Sequence, residues 1–375
     1  MVSNISGSGT IIKYLGIIVI LACILDALQN KSTIDIKWGI TSAALLFLVY
    51  ISVSVYFSKW FAASLVRMKM YYNLIAMFLI LTASKFSINQ VRKIINSIIA
   101  SGVAISIYLF VNYDSLIIDG TARATITTDN YGDVDPNGLA VFLCISVIFA
   151  VDKFLNDCIK ANKIILLFCN CCILFGIFVT GSRGGVMSSV TGVALMALNH
   201  LFRNNGQKNK ATVRFISVCL IGILFLMTFS YLIPMELKER FDLNTWVFDG
   251  GSNRTLIWKT TIESVLDKYI LFGSGVGTFP YTLYYHTGLF TVAHNIWLEV
   301  LVESGIIGFG IWMTFLGLIF KNAVKNKEST VIILLISIFI AESFLSAEVT
   351  KHFWNALMIS MIYTKKIYSI NNKAI

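Results

Sequence analysis

Three side chains in this sequence have the type and setting to do chemistry together. His294 lies in Thr291–Trp312, TVAHNIWLEVLVESGIIGFGIW, where a long polar stretch gives way to an apolar run reaching Phe320. An imidazole titrates near neutrality, so it can take up and return a proton. Set at a membrane–water boundary, it can meet a lipid-borne substrate without entering hydrocarbon. Arg183 lies in TGSRGG, Thr180–Gly185. Its guanidinium never loses its charge and donates paired hydrogen bonds to phosphate oxygens. Glycines on both sides permit a tight turn and close approach of a large group. The same composition also serves a plain interhelical turn with an arginine reaching for the headgroups. Arg254 lies in GGSNRTLIWK, Gly250–Lys259. Ser252 or Asn253 can cap a helix there, and Arg254 and Trp258 then share one face. That pair suits an anion held at a membrane surface, and it equally suits a surface amphipathic helix.

Carboxylates are fewer and read mostly as structural. Glu299 and Glu303 follow His294 at i+5 and i+9. In an unbroken helix Glu303 points about 180° away from His294, so a structural role is expected unless the helix breaks between them. Asp133-Val134-Asp135-Pro136-Asn137 offers a DxD pattern suited to a divalent cation. Asp135 before a proline and an apolar run is also a helix N-cap with Pro at N1, and that reading is preferred. Asp133 is left as the weaker metal or substrate candidate. Glu342, inside an apolar run, must face protein or water. Cys169, Cys171 and Cys172 sit mid-run with no histidine or acidic neighbour and read as packing thiols.

These groups must be positioned by membrane helices. The chain has 375 residues, 57% hydrophobic and 13% charged, with a mean hydropathy of +0.76. A bilayer span takes about 20 apolar residues, and such runs recur along the whole length. The expected fold is an all-α polytopic membrane protein, a single integral membrane domain over 1–375. Eleven spans are predicted, at 11–28, 38–57, 69–84, 94–112, 137–151, 164–180, 185–202, 213–233, 296–320, 331–349 and 353–368. The first reads as a span rather than a cleaved leader, for want of a small-residue cleavage site. No internal repeat is visible. The net charge of +10 sits in short loops between spans, which is a topology signal and argues against nucleic acid.

Basic residues in 203–214, 321–327 and the C-terminal tail fall on one side by parity and predict a cytoplasmic face. Loops 112–136 and 234–293 then lie outside, the second with five basic and six acidic residues. His294 is expected to face outward. Segment 58–69 with Lys59, Arg67 and Lys69 also lands outside, against the rule. Either one span in the first 90 residues is miscounted or these cations meet an anion.

GSRGG at 181–185, DPNGLA at 135–140, Arg254 with Trp258, and AHNIWLEVLVESGIIG at 293–308 together resemble the bacterial O-antigen ligase and O-antigen polymerase superfamily in order and spacing. The histidine stretch and GSRGG carry most of the likeness, and the first 110 residues match only as generic spans. The resemblance implies a GT-C-like glycosyltransferase of the inner membrane with about 11–12 spans, a helical periplasmic loop and a site facing the periplasm. It implies transfer of a glycan from undecaprenyl diphosphate to a sugar hydroxyl, inverting, without metal or cofactor. His294 would be the catalytic base; Arg183 and Arg254 would hold the diphosphate, with Arg67 and Lys69 as additional substrate-binding residues. The implied partners are a lipid-linked oligosaccharide, an acceptor glycan, membrane lipid and, for a polymerase, a chain-length regulator. GSRGG, DPNGLA and a compact outer loop favour a polymerase over a ligase acting on lipid A–core. A transporter or flippase would instead call for inverted repeats and charges deep in broken spans.

Overall fold

Hydrocarbon offers no hydrogen bonds to a backbone, so a chain this apolar crosses it as helices. The computed structural model describes residues 17–26, 34–113, 116–118, 123–126, 135–156, 159–203, 235–242, 254–345 and 349–371. The helices are α1 (Ile17–Asp26), α2 (Trp38–Phe57), α3 (Phe61–Ala83), α4 (Ile88–Val111), α5 (Pro136–Asn156), α6 (Lys160–Val179), α7 (Arg183–Arg203), α8 (Met235–Arg240), α9 (Arg254–Thr261), α10 (Phe279–Thr287), α11 (Ile296–Lys325), α12 (Ser329–Glu342) and α13 (Lys351–Asn371). Helix α9 runs on through a π turn, Ile262–Leu266, to Tyr269. Seven of the described helices are long and apolar enough to cross a bilayer. The protein is a multi-pass, helical membrane protein. One departure from an all-helical chain is a small antiparallel pair, β1 (Ile117–Ile118) with β2 (Arg123–Ala124), in the expected loop 112–136.

Two expected boundaries move in ways that bear on the site. The third span was placed at 69–84, yet α3 begins at Phe61. Arg67 and Lys69 interrupt the apolar run without interrupting the helix, because both are good helix formers with long apolar stems. The expected loop 58–69 therefore shrinks to a short turn that carries Lys59. Helix α12 stops at Glu342 rather than running to 349, so that carboxylate stands at the helix end. There it lies 3.4 Å from His352 Nε2. The expected span 213–233 lies outside the described residues.

The described chain forms two compact units. The first comprises residues 1–88, 249–328 and 342–375 and is centred on α2, α3, α11 and α13. Its core is aromatic: Phe47, Tyr71, Phe78, Trp312, Phe315, Phe353 and Trp354 are all fully buried. Most of their rings meet edge-on or tilted, Phe47 and Trp312 with centroids 4.9 Å apart and Phe78 and Phe315 5.2 Å apart, while Phe315 and Trp354 are stacked. Lipid tails are as apolar as leucine, so such packing rather than a hydrophobic drive joins these helices. Each ring pair contributes about 0.5–1.5 kcal/mol beyond area burial.

The second unit comprises residues 89–248 and 329–341. Helix α5 is its axis, buried along most of its length. Its neighbours approach through small residues: a Cβ on Gly185 would stand 2.4 Å from Ala140 Cβ, and one on Gly102 2.6 Å from Ser146 Cβ. Asp135 caps α5 as expected. Its Oδ1 accepts from the backbone N–H of Asn137 at 3.1 Å, with Pro136 opening the helix. Asp133 lies outside the described residues.

Candidate active site

In the first unit the site is built around a break in α11. Gly305 has φ 62° and ψ −178°, outside helical space, ten residues into the helix. That is about 14 Å along its axis. A break frees carbonyls and amides that hydrocarbon cannot satisfy, and the segment after α9 satisfies them. Ser274 N–H donates to Val302 O at 3.0 Å and Gly275 N–H to Glu303 O at 2.9 Å. In return Ile306 N–H donates to Ile270 O at 2.7 Å. The Tyr50 hydroxyl, from α2, lies 2.6 Å from Ser304 O and 3.0 Å from Phe272 O. The chain at 270–275 thus dips alongside α11 as a re-entrant loop. Contact is so close that a Cβ on Gly273 would stand 2.2 Å from Glu303 O, and one on Gly305 2.3 Å from Leu271 O.

Glu303 fixes the next stretch. Its buried carboxylate accepts from Gly277 N–H at 2.7 Å and Phe279 N–H at 2.9 Å, at the start of α10. These two bonds give Glu303 the structural role expected of it, but not for the expected reason, because α11 begins at Ile296 and His294 lies outside that helix. Charge-assisted bonds of this kind are roughly twice as strong as neutral ones. Gly277 in turn lies under Arg67, where an added Cβ would be 2.5 Å from Arg67 Cβ. The Ser58 hydroxyl donates to Ser274 O at 2.9 Å. Arg67 and the turn before α3 therefore lie beside the segment that precedes α10. Lys69 is exposed, two residues further along α3, turned about 200° from Arg67.

His294 stands just ahead of α11. Asn295 caps that helix, its Oδ1 accepting from Trp297 N–H at 3.0 Å and Leu298 N–H at 3.1 Å. His294 itself is half-buried and left-handed, with φ 49°. Such a conformation costs a non-glycine residue about 1–2 kcal/mol, and strain of this kind gathers at functional sites. Arg254 opens α9, and one turn later the Trp258 indole donates to Ala293 O at 2.8 Å. Ile257, Val265, Phe279, Leu283, Ala293 and Val302 form the apolar cluster beneath. Arg254, Trp258 and the His294 turn are thus parts of one assembly, with α10 and the first turns of α11 as its floor.

Arg183 belongs to the second unit, at the first position of α7. Ser182 caps that helix, its hydroxyl accepting from Gly185 N–H at 3.2 Å. Arg183 Nε donates to Arg240 O at 2.9 Å. Arg123 Nε donates to Thr180 O at 3.0 Å and its Nη2 to Asn137 Oδ1 at 2.8 Å. A Cβ on Gly181, which is left-handed, would lie 3.4 Å from Arg240 Nε. The GSRGG turn, the start of α5 and three arginines are gathered here, and like charges so placed favour an anion. Sequence reasoning missed Arg123 and Arg240. The available signal was that Arg123 is the single basic residue in 112–136.

Residues 168–313 match the family model described as O-antigen ligase. Over that stretch, less than half of its length, the chain is similar to the O-antigen ligase family. The O-antigen ligase match takes in GSRGG, Arg254, Trp258, His294 and the Gly305 break. DPNGLA, Arg67 and Lys69 fall outside it. No curated protein matches the chain. One similar solved chain comes from a structure titled "Structural coordination of polymerization and crosslinking by a peptidoglycan synthase complex". It shares 13% identity over 90% of this chain and 98% of that one, with a TM-score of 0.44.

A second imidazole of the same loop has a different setting. His286, on α10, has Nδ1 3.0 Å from Lys268 Nζ and Nε2 3.3 Å from the Tyr269 hydroxyl. Desolvation first, then the positive charges of Lys268 and Lys59, hold its pKa below the ordinary histidine value. It is neutral at pH 7 and already engaged on both ring nitrogens.

Proposed function

We propose that this protein is an inverting, GT-C-like glycosyltransferase that lengthens a polysaccharide from lipid-linked repeat units. The donor is a glycan on undecaprenyl diphosphate, and the acceptor is a sugar hydroxyl of another lipid-linked unit. The observation that carries this reading is the Trp258–Ala293 hydrogen bond. It ties the helix led by Arg254 to the strained turn bearing His294, at the mouth of a membrane helix. His294 takes the proton of the attacking hydroxyl. The oxygen forms its bond to the anomeric carbon from the face opposite the diphosphate, inverting the centre. The carbon–oxygen bond to phosphate breaks, and its electron pair leaves on the diphosphate.

Charge on that leaving group grows as the bond breaks; Arg254 stabilises it, with Arg67 as a further cation of the same unit, and the resemblance gives Arg183 the same role. Each fixed donor aimed at developing charge is worth roughly 3–4 kcal/mol. The site faces the periplasm of the bacterial inner membrane, away from nucleotide sugars. No metal or other cofactor takes part.

Arg254→Ala is expected to lower kcat about 10²-fold, with folding retained, because the side chain stabilises the leaving group. Single-turnover transfer with a purified donor checks this, and an unchanged rate removes Arg254 from the mechanism.

A ligase reading shares the donor half and differs in acceptor; the description of the matching family favours it. Purified protein given lipid-linked repeat units alone decides. Lengthened glycans mean a polymerase, and a requirement for lipid A–core means a ligase. A glycosidic product made in detergent, with no membrane to cross, excludes a pure transporter.

A further inference from the structure

At the end of α2 and α11 remote from His294, the two helices enclose an open groove of about 330 Å³. It is lined by Lys37, Trp38 and Gly39 from one side and Lys321, Asn322 and Lys325 from the other. We propose that this groove is a binding site for the phosphate headgroup of an anionic phospholipid. Lysines at the end of a span mark topology on their own. Here three of them, drawn from helices some 280 residues apart in sequence, converge on one cavity. Lys37 pairs with Asp35 at 3.5 Å, and the residues that line the groove include three lysines and no carboxylate.

The other lining groups fit a lipid. Trp38 is 71% exposed at the very start of α2, and indoles prefer the depth of the headgroups. Leu318 and Ile40 line the hydrocarbon side, where an acyl chain would leave. Asn322 is half-buried, its amide held 3.8 Å from Met361 Sδ, and offers a fixed polar wall. A Cβ added to Gly39 would meet nothing within 4 Å, so the groove is open space at that point. Basic pockets between helices at a membrane face hold phosphate headgroups in this way.

The test uses the full chain in detergent, with retained lipids counted by native mass spectrometry during titration. The probes are dioleoylphosphatidylglycerol, dioleoylphosphatidylcholine and inorganic phosphate. The phosphatidylglycerol is expected to bind first and the phosphatidylcholine not to compete. A Lys321→Gln/Lys325→Gln double variant should weaken the first phosphatidylglycerol about 25-fold, near five-fold per lysine. Gly39→Leu changes no charge, projects into open space and should weaken it by blocking the groove. If the double variant fails to elute as folded protein, Gly39→Leu decides alone. Equal binding of both lipids, or wild-type affinity in Gly39→Leu, overturns the proposal. Displacement of the lipid by equimolar inorganic phosphate also overturns it, by making the groove a site for free anions.

Discussion

His294→Asn is expected to remove glycan transfer, lowering kcat by about 10²–10⁴-fold, while the donor still binds. Asparagine is the informative replacement because it enters the left-handed region more readily than most residues. The turn at φ 49° between Ala293 and the Asn295 cap then keeps its shape, and only the titratable nitrogen is lost. Alanine there would confound loss of a base with relaxation of a strained backbone. The wild-type rate should fall on acidification, because a protonated imidazole cannot accept the hydroxyl's proton. The variant's residual rate should lose that limb. A wild-type rate in His294→Asn, or an unchanged pH limb, removes His294 as the base.

Gly305→Ala is expected to abolish the folded protein or nearly so. Its Cβ would stand 2.3 Å from Leu271 O, and alanine would have to hold φ 62° with an extended ψ, a region open essentially to glycine. The backbone strain alone costs about 1–3 kcal/mol. Relieving the overlap separates 270–275 from α11 and leaves the amide of Ile306 and carbonyls of Val302 and Glu303 unpaired, at about 1–3 kcal/mol each. Against a typical total stability of about 5–15 kcal/mol, this is decisive. Thermal unfolding in detergent checks the claim, with Gly310→Ala as the control, since a Cβ there meets nothing within 4 Å. If both variants melt with the wild type, the re-entrant loop is not held as described.

Much of the helical framework was legible in advance because hydropathy reports it directly. The span at 38–57 and the start of the long helix at Ile296 coincide with observed bounds. The Asp135 cap followed from one carboxylate, one proline and an apolar run. Where charge lay inside a helix the pattern misled: Arg67 and Lys69 read as loop residues and stand in α3. The glycine spacing of Gly273-Ser274-Gly275-Val276-Gly277 was visible but uninterpreted, because its meaning depends on Glu303 and Gly305 thirty residues on.

Local chemistry therefore determined which residues matter: an imidazole at a polar–apolar boundary, an arginine four before a tryptophan, an arginine among glycines. Those properties belong to side chains and short-range helical geometry, and composition alone placed them in a membrane. Only the tertiary structure decided that Glu303 holds the start of α10, that Trp258 carries the turn before His294, and that Arg123 and Arg240 join Arg183. Each of those depends on a side chain meeting a backbone group 26 to 57 residues away. A broken membrane helix must find hydrogen-bond partners, but nothing in its own sequence says which distant segment supplies them.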